Sequence, residues 1–202
     1  MEATYIETQQ ISFQDFKNQI LEDYKLGRIS REMSYLGRRE VLTGKAKFGI
    51  FGDGKELPQL AMAKVFKNGD FRSGYYRDQT FAMAINAVSV ESFFAQLYAD
   101  TSVEREPASA GRQMNGHYAT RSLNEDGSWK NLMQQKNISS DISPTAGQMP
   151  RLLGLAMASK VYKSVKFEGS EKFSNEGNEV AFGTIGDAST AEGHFWETLN
   201  AA

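Results

Sequence analysis

The segment Glu179–Ile185 constrains the fold more than any other part of the chain. It has the apolar character of a buried strand and runs directly into the dipeptide Gly186-Asp187. A pattern containing Phe195 and Leu199 follows and predicts a helix. A strand, a tight glycine turn and a helix in this order place a ligand at the carboxyl end of a parallel sheet. The sequence therefore predicts an α/β fold in which N-terminal helices lead into a truncated parallel sheet.

The remaining apolar periodicity is mostly helical. Ser12 can cap the first predicted helix, and Gly44 can end the second. Residues 100–141 show no sustained period, and a loop of that length in a compact domain is either functional or disordered. We therefore predict an N-terminal helical segment, 1–44, and one domain, 45–202. Helices are predicted at 12–29, 31–43, 58–66, 78–87, 90–99 and 146–163, with polar connections at 45–57, 67–73 and 164–178.

Composition narrows the class of protein. The chain has 202 residues and no cysteine, which excludes disulfides, thiolate metal sites and cysteine nucleophiles and fits a cytoplasmic location. Its net charge of −2, without a basic cluster, indicates that it does not bind nucleic acid. The polar first residues do not resemble a secretory signal, and no stretch approaches the roughly 20 apolar residues of a spanning helix. We expect a cytoplasmic protein that contacts neither nucleic acid nor membrane.

Residues 49–55 match the phosphate-loop pattern G-x-x-x-x-G-K. The next residue is Glu56, however, whereas that motif has a Ser or Thr that ligates magnesium. No clear buried strand precedes the segment either. We interpret it as a flexible turn and not as a nucleotide site.

Two charged positions each have two interpretations. Asp187 follows a predicted strand, where a carboxylate can cap the next helix or ligate a hard cation that bridges to a diphosphate. Arg77 lies in a polar turn, where it can pair with Asp78 or present its guanidinium fork to a phosphate. These residues alone do not separate the alternatives.

His117 lies in the long loop, among glycine and arginine neighbours. It is a candidate acid or base because the pKa of histidine lies near working pH. His194, on the last predicted helix, is better interpreted as a surface or packing residue. Pro144 fixes its own φ and biases Ser143 toward extended backbone. This segment could present carbonyl groups to a cation or ligand, or it could simply start a helix that Ser143 caps.

The order of these motifs is more specific than any one of them. Together they resemble the α-type half of thiamine-diphosphate-dependent 2-oxoacid dehydrogenases, and within that family the branched-chain (2-oxoisovalerate) group. The resemblance covers about residues 30–202 and is greatest to the bacterial form in which α- and β-type halves are fused in one long chain. The motifs are Tyr76-Arg77-Asp78, Gly111-Arg112-Gln113-Met114 ending in His117-Tyr118, Ser143-Pro144-Thr145-Ala146-Gly147-Gln148, and Gly186-Asp187-Ala188-Ser189-Thr190-Ala191-Glu192-Gly193.

The resemblance implies roles for individual residues. Tyr76 and Arg77 would contact thiamine diphosphate, with Arg77 on its phosphate. Asp187 would ligate Mg²⁺, and His117 would face the substrate carboxylate. The remaining implied contacts are the aminopyrimidine at the backbone of Ser143 and Thr145, the diphosphate beside Gly186, Ala188 and Ser189, and a potassium-binding turn that includes Pro144 and Gln148.

The resemblance also implies an activity and partners. The enzyme would decarboxylate a branched-chain 2-oxoacid oxidatively and pass the acyl group to a lipoyl-bearing acyltransferase. It would work as an oligomer with a β-type half. Two alternatives stay open: another thiamine-diphosphate enzyme, using pyruvate or acetoin, and a non-catalytic fragment that only pairs with partner subunits.

Three positions depart from the family pattern. Ala188 stands where glycine is usual, Thr145 where leucine is common, and Gly147 where threonine is common. The asparagine that completes magnesium binding, the phosphate-ordering histidine loop and the β-type glutamate that activates the cofactor have no counterpart in these residues. We therefore expect a truncated domain that alone shows no turnover and little or no cofactor binding.

Overall fold

The computed structural model describes residues 11–202, so the prediction about the first residues of the chain falls largely outside it. The described residues form six α-helices and three short β-strands, joined by loops and 3-10 turns. The helices are α1 (Phe13–Leu42), α2 (Glu56–Val65), α3 (Gln79–Ala84), α4 (Val90–Leu97), α5 (Gln148–Ser164) and α6 (Gly193–Ala201). The strands are β1 (Phe71–Ser73), β2 (Asn137–Ile138) and β3 (Ala181–Gly183).

The three strands form one parallel sheet with the order β2-β1-β3. Phe71 pairs with Asn137 on one side and with Ala181 on the other, so β1 is the central strand. Because all three strands are parallel, their carboxyl ends share one edge, and the loops that follow them meet there. The predicted α/β fold with N-terminal helices and a small parallel sheet is confirmed.

The sheet differs from the prediction in detail. The stretch predicted as a buried strand, 179–185, contributes only the three residues of β3, which lie at an edge of the sheet and are only partly buried or exposed. Strands β1 and β2 lie in segments predicted as a polar connection and an irregular loop. At three and two residues, they are too short to show the alternation that marks a strand in a sequence.

Helix α1 is one continuous helix of 30 residues, and the predicted division near residue 30 is wrong. Its start is as predicted, because Ser12 Oγ accepts a hydrogen bond from the Asp15 N–H at 3.1 Å. Ser30 is fully buried, and its hydroxyl lies 2.6 Å from the hydroxyl of Thr80 in α3. This contact to a neighbouring helix satisfies the serine without interrupting α1.

The apolar core connects the helices to the sheet. Phe81 and Phe93 are almost completely buried, on α3 and α4 respectively. Phe66 packs edge to face against both Phe81 and Phe182, with ring centroids 5.1 Å apart in each pair. Each such side chain contributes roughly 1.5–3 kcal/mol through burial, so this aromatic group fixes β3 against the helical layer. None of the helices formed by residues 11–202 has the length and apolar character needed to cross a membrane.

Tyr118 is buried, and its hydroxyl has no hydrogen-bond partner in the described part of the chain. Burial raises the pKa of Tyr118 well above its usual value. We expect Tyr118→Phe to raise the free energy of unfolding by about 1 kcal/mol, because it removes a desolvated, unpaired hydroxyl. Urea denaturation measures this change.

The matched control is Tyr98→Phe, which removes a hydroxyl that donates to Glu40 at 2.8 Å. That variant should lose stability by about 0.5–1.5 kcal/mol. A loss of stability in Tyr118→Phe as large as that in the control would show that the Tyr118 hydroxyl has a partner in solution.

Candidate functional site

Four loops meet at the carboxyl edge of the sheet. The turn 75–78 follows β1, the segment 139–147 follows β2, and the turn 186–189 follows β3. The fourth loop carries His117 and is in close contact with the first, because a Cβ added to Gly116 would lie 2.5 Å from the Tyr76 carbonyl oxygen. Gly116 also has a φ of +82°, so this close approach requires glycine.

Behind this edge lies a buried ion cluster of Arg72, Asp78 and Asp141. Arg72 is fully buried in β1, and its guanidinium lies 2.8 Å from the Asp78 carboxylate and 3.1 Å from that of Asp141. Burial alone would lower the pKa of Arg72, but the two carboxylates outweigh it and raise that pKa. Burial raises the pKa of Asp141 although Arg72 opposes the shift. The cluster thus holds two buried acids around one cation.

The cluster joins the loops of the edge to one another. The Asp78 carboxylate accepts from the Tyr75 N–H at 3.1 Å and from the Thr184 hydroxyl, beyond the end of β3. The Asp141 carboxylate accepts from the Tyr118 N–H at 3.1 Å. The sequence did not indicate this network, because Arg72 lies in a segment that we predicted to be a polar connection. These bonds fix the backbone on which the predicted site residues lie.

Arg77 is not the partner of Asp78, which pairs with Arg72 instead. Among residues 11–202, no carboxylate lies within ion-pair distance of Arg77. Its half-buried guanidinium lies 5.1 Å from the ring centroids of both Tyr75 and Tyr76, and Nη1 donates to the Tyr75 hydroxyl. A positive charge without a carboxylate partner at a sheet edge is suited to bind an anion.

His117 is buried and held at both of its ring nitrogens. Nδ1 lies 3.0 Å from the Met114 carbonyl oxygen, which can only accept, so Nδ1 carries a proton. Nε2 lies 3.0 Å from the Ser143 hydroxyl and accepts from it when the ring is neutral. The Gln96 amide holds the backbone of His117 from both sides, at 2.9 and 3.2 Å. The structure thus brings two predicted site residues, His117 and Ser143, into direct contact.

The segment 143–148 does not start a helix at Ser143, because α5 begins at Gln148 with Gly147 at its cap position. The Pro144 carbonyl accepts from the Gly147 N–H at 3.0 Å. The Thr145 carbonyl accepts from His194 Nε2 at 2.7 Å, so His194 connects α6 to this turn. Gln148 is buried and donates to the Thr184 carbonyl at 2.8 Å. Both carbonyls and Gln148 therefore have partners within the protein.

The turn after β3 leaves Asp187 exposed. In the described structure its carboxylate makes no capping hydrogen bond, so the cap interpretation is not supported. The N–H groups of Asp187 and Ala188 likewise donate to no acceptor within residues 11–202. No cluster of three or more acidic, histidine or cysteine side chains suited to a metal occurs in that range. A cation at Asp187 would therefore need oxygen ligands from a bound anion as well.

The segment 49–55, which matches the phosphate-loop pattern, does not leave the N–H groups of Gly52 and Gly54 free to bind a phosphate. The Gly54 N–H donates to the Glu56 carboxylate at 3.1 Å, and the Gly52 N–H donates to Gln79 at 3.1 Å. Glu56 also pairs with Arg31 at 2.6 Å, and this guanidinium lowers the pKa of Glu56. The protein's own side chains thus occupy these donors, in agreement with the prediction that the segment is a turn and not a nucleotide site; the same bonds hold the turn in place, whereas we predicted it to be flexible.

Two cavities lie away from the carboxyl edge of the sheet. One, of about 730 Å³, lies beyond the amino ends of the strands and is lined by polar side chains that include Asp70 and Glu179. The other, of about 740 Å³, lies between α1 and α4 beside Met33 and Phe94. Neither cavity is lined by the four loops of the carboxyl edge. Charged side chains, and not the size of a cavity, therefore indicate a site at that edge.

Open parallel α/β sheets bind their ligands at the carboxyl ends of the strands. At that edge this protein presents Arg77, which has no carboxylate partner among residues 11–202, and Asp187, which is exposed beyond the Gly186 turn. Residues 24–202 match the family described as dehydrogenase E1 component, and the chain belongs to this family. The resemblance of the ordered motifs to 2-oxoacid dehydrogenases is thereby confirmed, while the similarity to the fused α- and β-type form stays a prediction.

The chain is similar to the 2-oxoisovalerate dehydrogenase subunit alpha of Bacillus subtilis (strain 168). The two are 28% identical over 180 residues, which cover 87% of this chain and 43% of that relative. The chain therefore spans less than half the length of the curated relative it matches.

Proposed function

We propose that this chain forms the diphosphate-binding side of a thiamine-diphosphate-dependent 2-oxoacid dehydrogenase. The observation that carries the proposal is Arg77, whose guanidinium lacks a carboxylate partner within residues 11–202 and contacts a tyrosine beside the Gly186 turn. Membership of the E1 family supports thiamine diphosphate as the ligand.

The donor set fits a diphosphate bound together with Mg²⁺. Arg77 and the N–H groups of Asp187 and Ala188 offer positive charge and hydrogen-bond donors, and Asp187 offers one carboxylate oxygen ligand. Ser189 would border the same diphosphate. When bound, thiamine diphosphate supplies the electron sink for the pair of electrons left as carbon dioxide departs. A potassium ion at Pro144 and Gln148 stays a prediction.

His117 is proposed as the catalytic residue that meets the substrate. Because Nδ1 is committed to the Met114 carbonyl, Nε2 is the atom that can exchange a proton or bond a carboxylate. Neutral His117 would accept a proton at Nε2, and protonated His117 would donate there to the substrate carboxylate. The backbone of Ser143 and Thr145 would contact the aminopyrimidine.

The proposal extends to substrate and partners. A branched-chain 2-oxoacid is supported by the name of the Bacillus subtilis relative, and a β-type partner by its description as a subunit alpha. We propose that the acyl group then passes to a lipoyl-bearing acyltransferase. Pyruvate and acetoin are the competing substrates. The division of the chain at residue 44 and the cytoplasmic location remain predictions.

The experiment uses residues 1–202 as part of a full-length α-type half, assembled with its β-type half. We expect magnesium-dependent binding of thiamine diphosphate, and 2-oxoacid oxidation that is faster with 2-oxoisovalerate than with pyruvate or acetoin. Arg77→Gln should weaken cofactor binding about ten- to a hundredfold, because it removes charge-assisted hydrogen bonds to the diphosphate.

The control variant is Arg38→Gln, which removes a surface arginine paired with Asp53 at 2.6 Å. It should leave cofactor affinity unchanged. Equal affinity in Arg77→Gln and in the unmodified enzyme would contradict the assignment of Arg77 to the diphosphate.

A further inference from the structure

The backbone of Tyr75 is held by hydrogen bonds at both its N–H and its carbonyl group. Its N–H lies 3.1 Å from both the Asp78 carboxylate and the Thr184 hydroxyl. Its carbonyl accepts from the buried guanidinium of Arg72 at 2.8 Å. The position of Tyr75 therefore follows from the ion cluster and from the end of β3 together.

The Tyr75 side chain lies between Arg77 and the turn after β3. Its hydroxyl accepts from Arg77 Nη1 and donates to the Tyr76 hydroxyl at 2.8 Å. The same hydroxyl lies 3.8 Å from the position that a Cβ on Gly186 would occupy. The two tyrosine rings lie against each other, with centroids 4.1 Å apart. Arg77 is thus held next to the glycine turn by a phenol.

The chemistry of this contact suits an anion site. An arginine side chain has several rotatable bonds, and fixing it costs up to about 2 kcal/mol of conformational entropy. A carboxylate could hold it but would cancel its charge, whereas a neutral phenol orients it and leaves the charge available. Burial and the bond to Tyr76 raise the pKa of Tyr75 to about 12 although Arg77 opposes the shift, so the phenol stays neutral at physiological pH.

We infer that Tyr75 is a positioning residue that aims the guanidinium of Arg77 at the diphosphate group bound beside the Gly186 turn. The inference rests on the proposed function and adds to it a residue that the family resemblance did not assign, since that resemblance concerned Tyr76 and Arg77. Tyr75 acts through Arg77 and does not itself contact the reacting atoms.

The test is a double-mutant cycle in the enzyme assembled with its β-type half. The apparent dissociation constant for thiamine diphosphate is measured for the unmodified enzyme, Tyr75→Phe, Arg77→Gln and the double variant. We expect Tyr75→Phe to weaken binding about tenfold, since one hydrogen bond to a charged group is lost. Tyr75→Phe should not weaken binding any further when Arg77→Gln is already present.

Tyr98→Phe is the matched control, because it also removes one tyrosine hydroxyl but lies away from this edge, bonded to Glu40. It should leave the dissociation constant unchanged. A tenfold loss that persists in the Arg77→Gln background would mean a general structural role for Tyr75 and would overturn the inference. Unchanged affinity in Tyr75→Phe would overturn it equally.

A second measurement separates this inference from the proposed function. In the ligand-free chain, the guanidinium protons of Arg77 should give a slowly exchanging NMR signal that Tyr75→Phe abolishes. If the unmodified enzyme bound no thiamine diphosphate, the proposed function would fail, and this signal would still decide whether Tyr75 orders Arg77. A signal unchanged by Tyr75→Phe would overturn the positioning role directly.

Discussion

Arg72→Ala is expected to lower the free energy of unfolding of the chain by about 3–5 kcal/mol, because it leaves two buried carboxylates without their cation. Asp78 and Asp141 lie 2.8 and 3.1 Å from the Arg72 guanidinium, and both are almost inaccessible to solvent. A loss of this size is a large fraction of the stability of an ordinary domain. Urea denaturation followed by circular dichroism measures it.

The pH dependence of Arg72→Ala gives an independent check. Burial raises the pKa of Asp141 even beside Arg72, and removal of the cation should raise it further. When the pKa of a carboxyl group is higher in the folded than in the unfolded state, its contribution to stability is fully present below the unfolded-state pKa. That contribution is lost as pH rises through the folded-state pKa. The deficit of Arg72→Ala should therefore shrink as pH falls from 7 toward 5.

Arg38→Ala is the matched control, because it breaks a surface pair with Asp53 and should cost only about 0–1 kcal/mol. A loss in Arg72→Ala no greater than in this control would contradict the role of the buried cluster.

Asp187→Ala should abolish magnesium-dependent binding of thiamine diphosphate by the assembled enzyme while leaving the melting temperature of the chain nearly unchanged. The carboxylate is exposed and makes no capping bond within the described structure, so its removal costs the fold little. It is, however, the proposed protein ligand of Mg²⁺, and the diphosphate would lose the cation that neutralises it. Calorimetry with and without EDTA measures the metal-dependent part of the affinity.

Asp187→Asn separates charge from shape, since it keeps the side-chain volume and removes the negative charge. We expect it to lose metal-dependent binding nearly as completely as Asp187→Ala. Asp126→Ala, at an exposed turn bonded to Ser128, is the control and should leave affinity unchanged. Cofactor affinity unaffected by Asp187→Ala would remove this residue from the metal site.

The fold class could be predicted because the apolar segment 179–185 is followed by a glycine turn and then by a helical pattern. The central strand could not, because Phe71–Ser73 is too short to show alternation and contains Arg72. A buried arginine contradicts the hydropathy of a strand, and its burial depends on Asp141, which is 69 residues away. Only the folded chain brings this pair together.

Candidate members of the site could be proposed from the sequence, and their roles stay predictions, but the pairings between side chains could not be predicted. The order of the motifs identified Tyr76, Arg77, His117 and Asp187, and the structure places the first three in loops that touch one another. Adjacency in sequence suggested that Asp78 pairs with Arg77, but Asp78 turns inward to Arg72. Thr184 gave no signal, because its bonds to Tyr75 and Asp78 span more than a hundred residues. Tyr75 gave none either, because the bond from Arg77 to its hydroxyl forms only in the folded turn.

The buried acids also bond the main chain. Asp78 and Asp141 accept hydrogen bonds from the N–H groups of Tyr75 and Tyr118, and every residue except proline provides such a donor. These two backbone bonds therefore do not depend on which side chains stand at positions 75 and 118. We expect the two loops to keep these backbone bonds when other side chains are introduced at the two positions, as long as Asp78 and Asp141 remain.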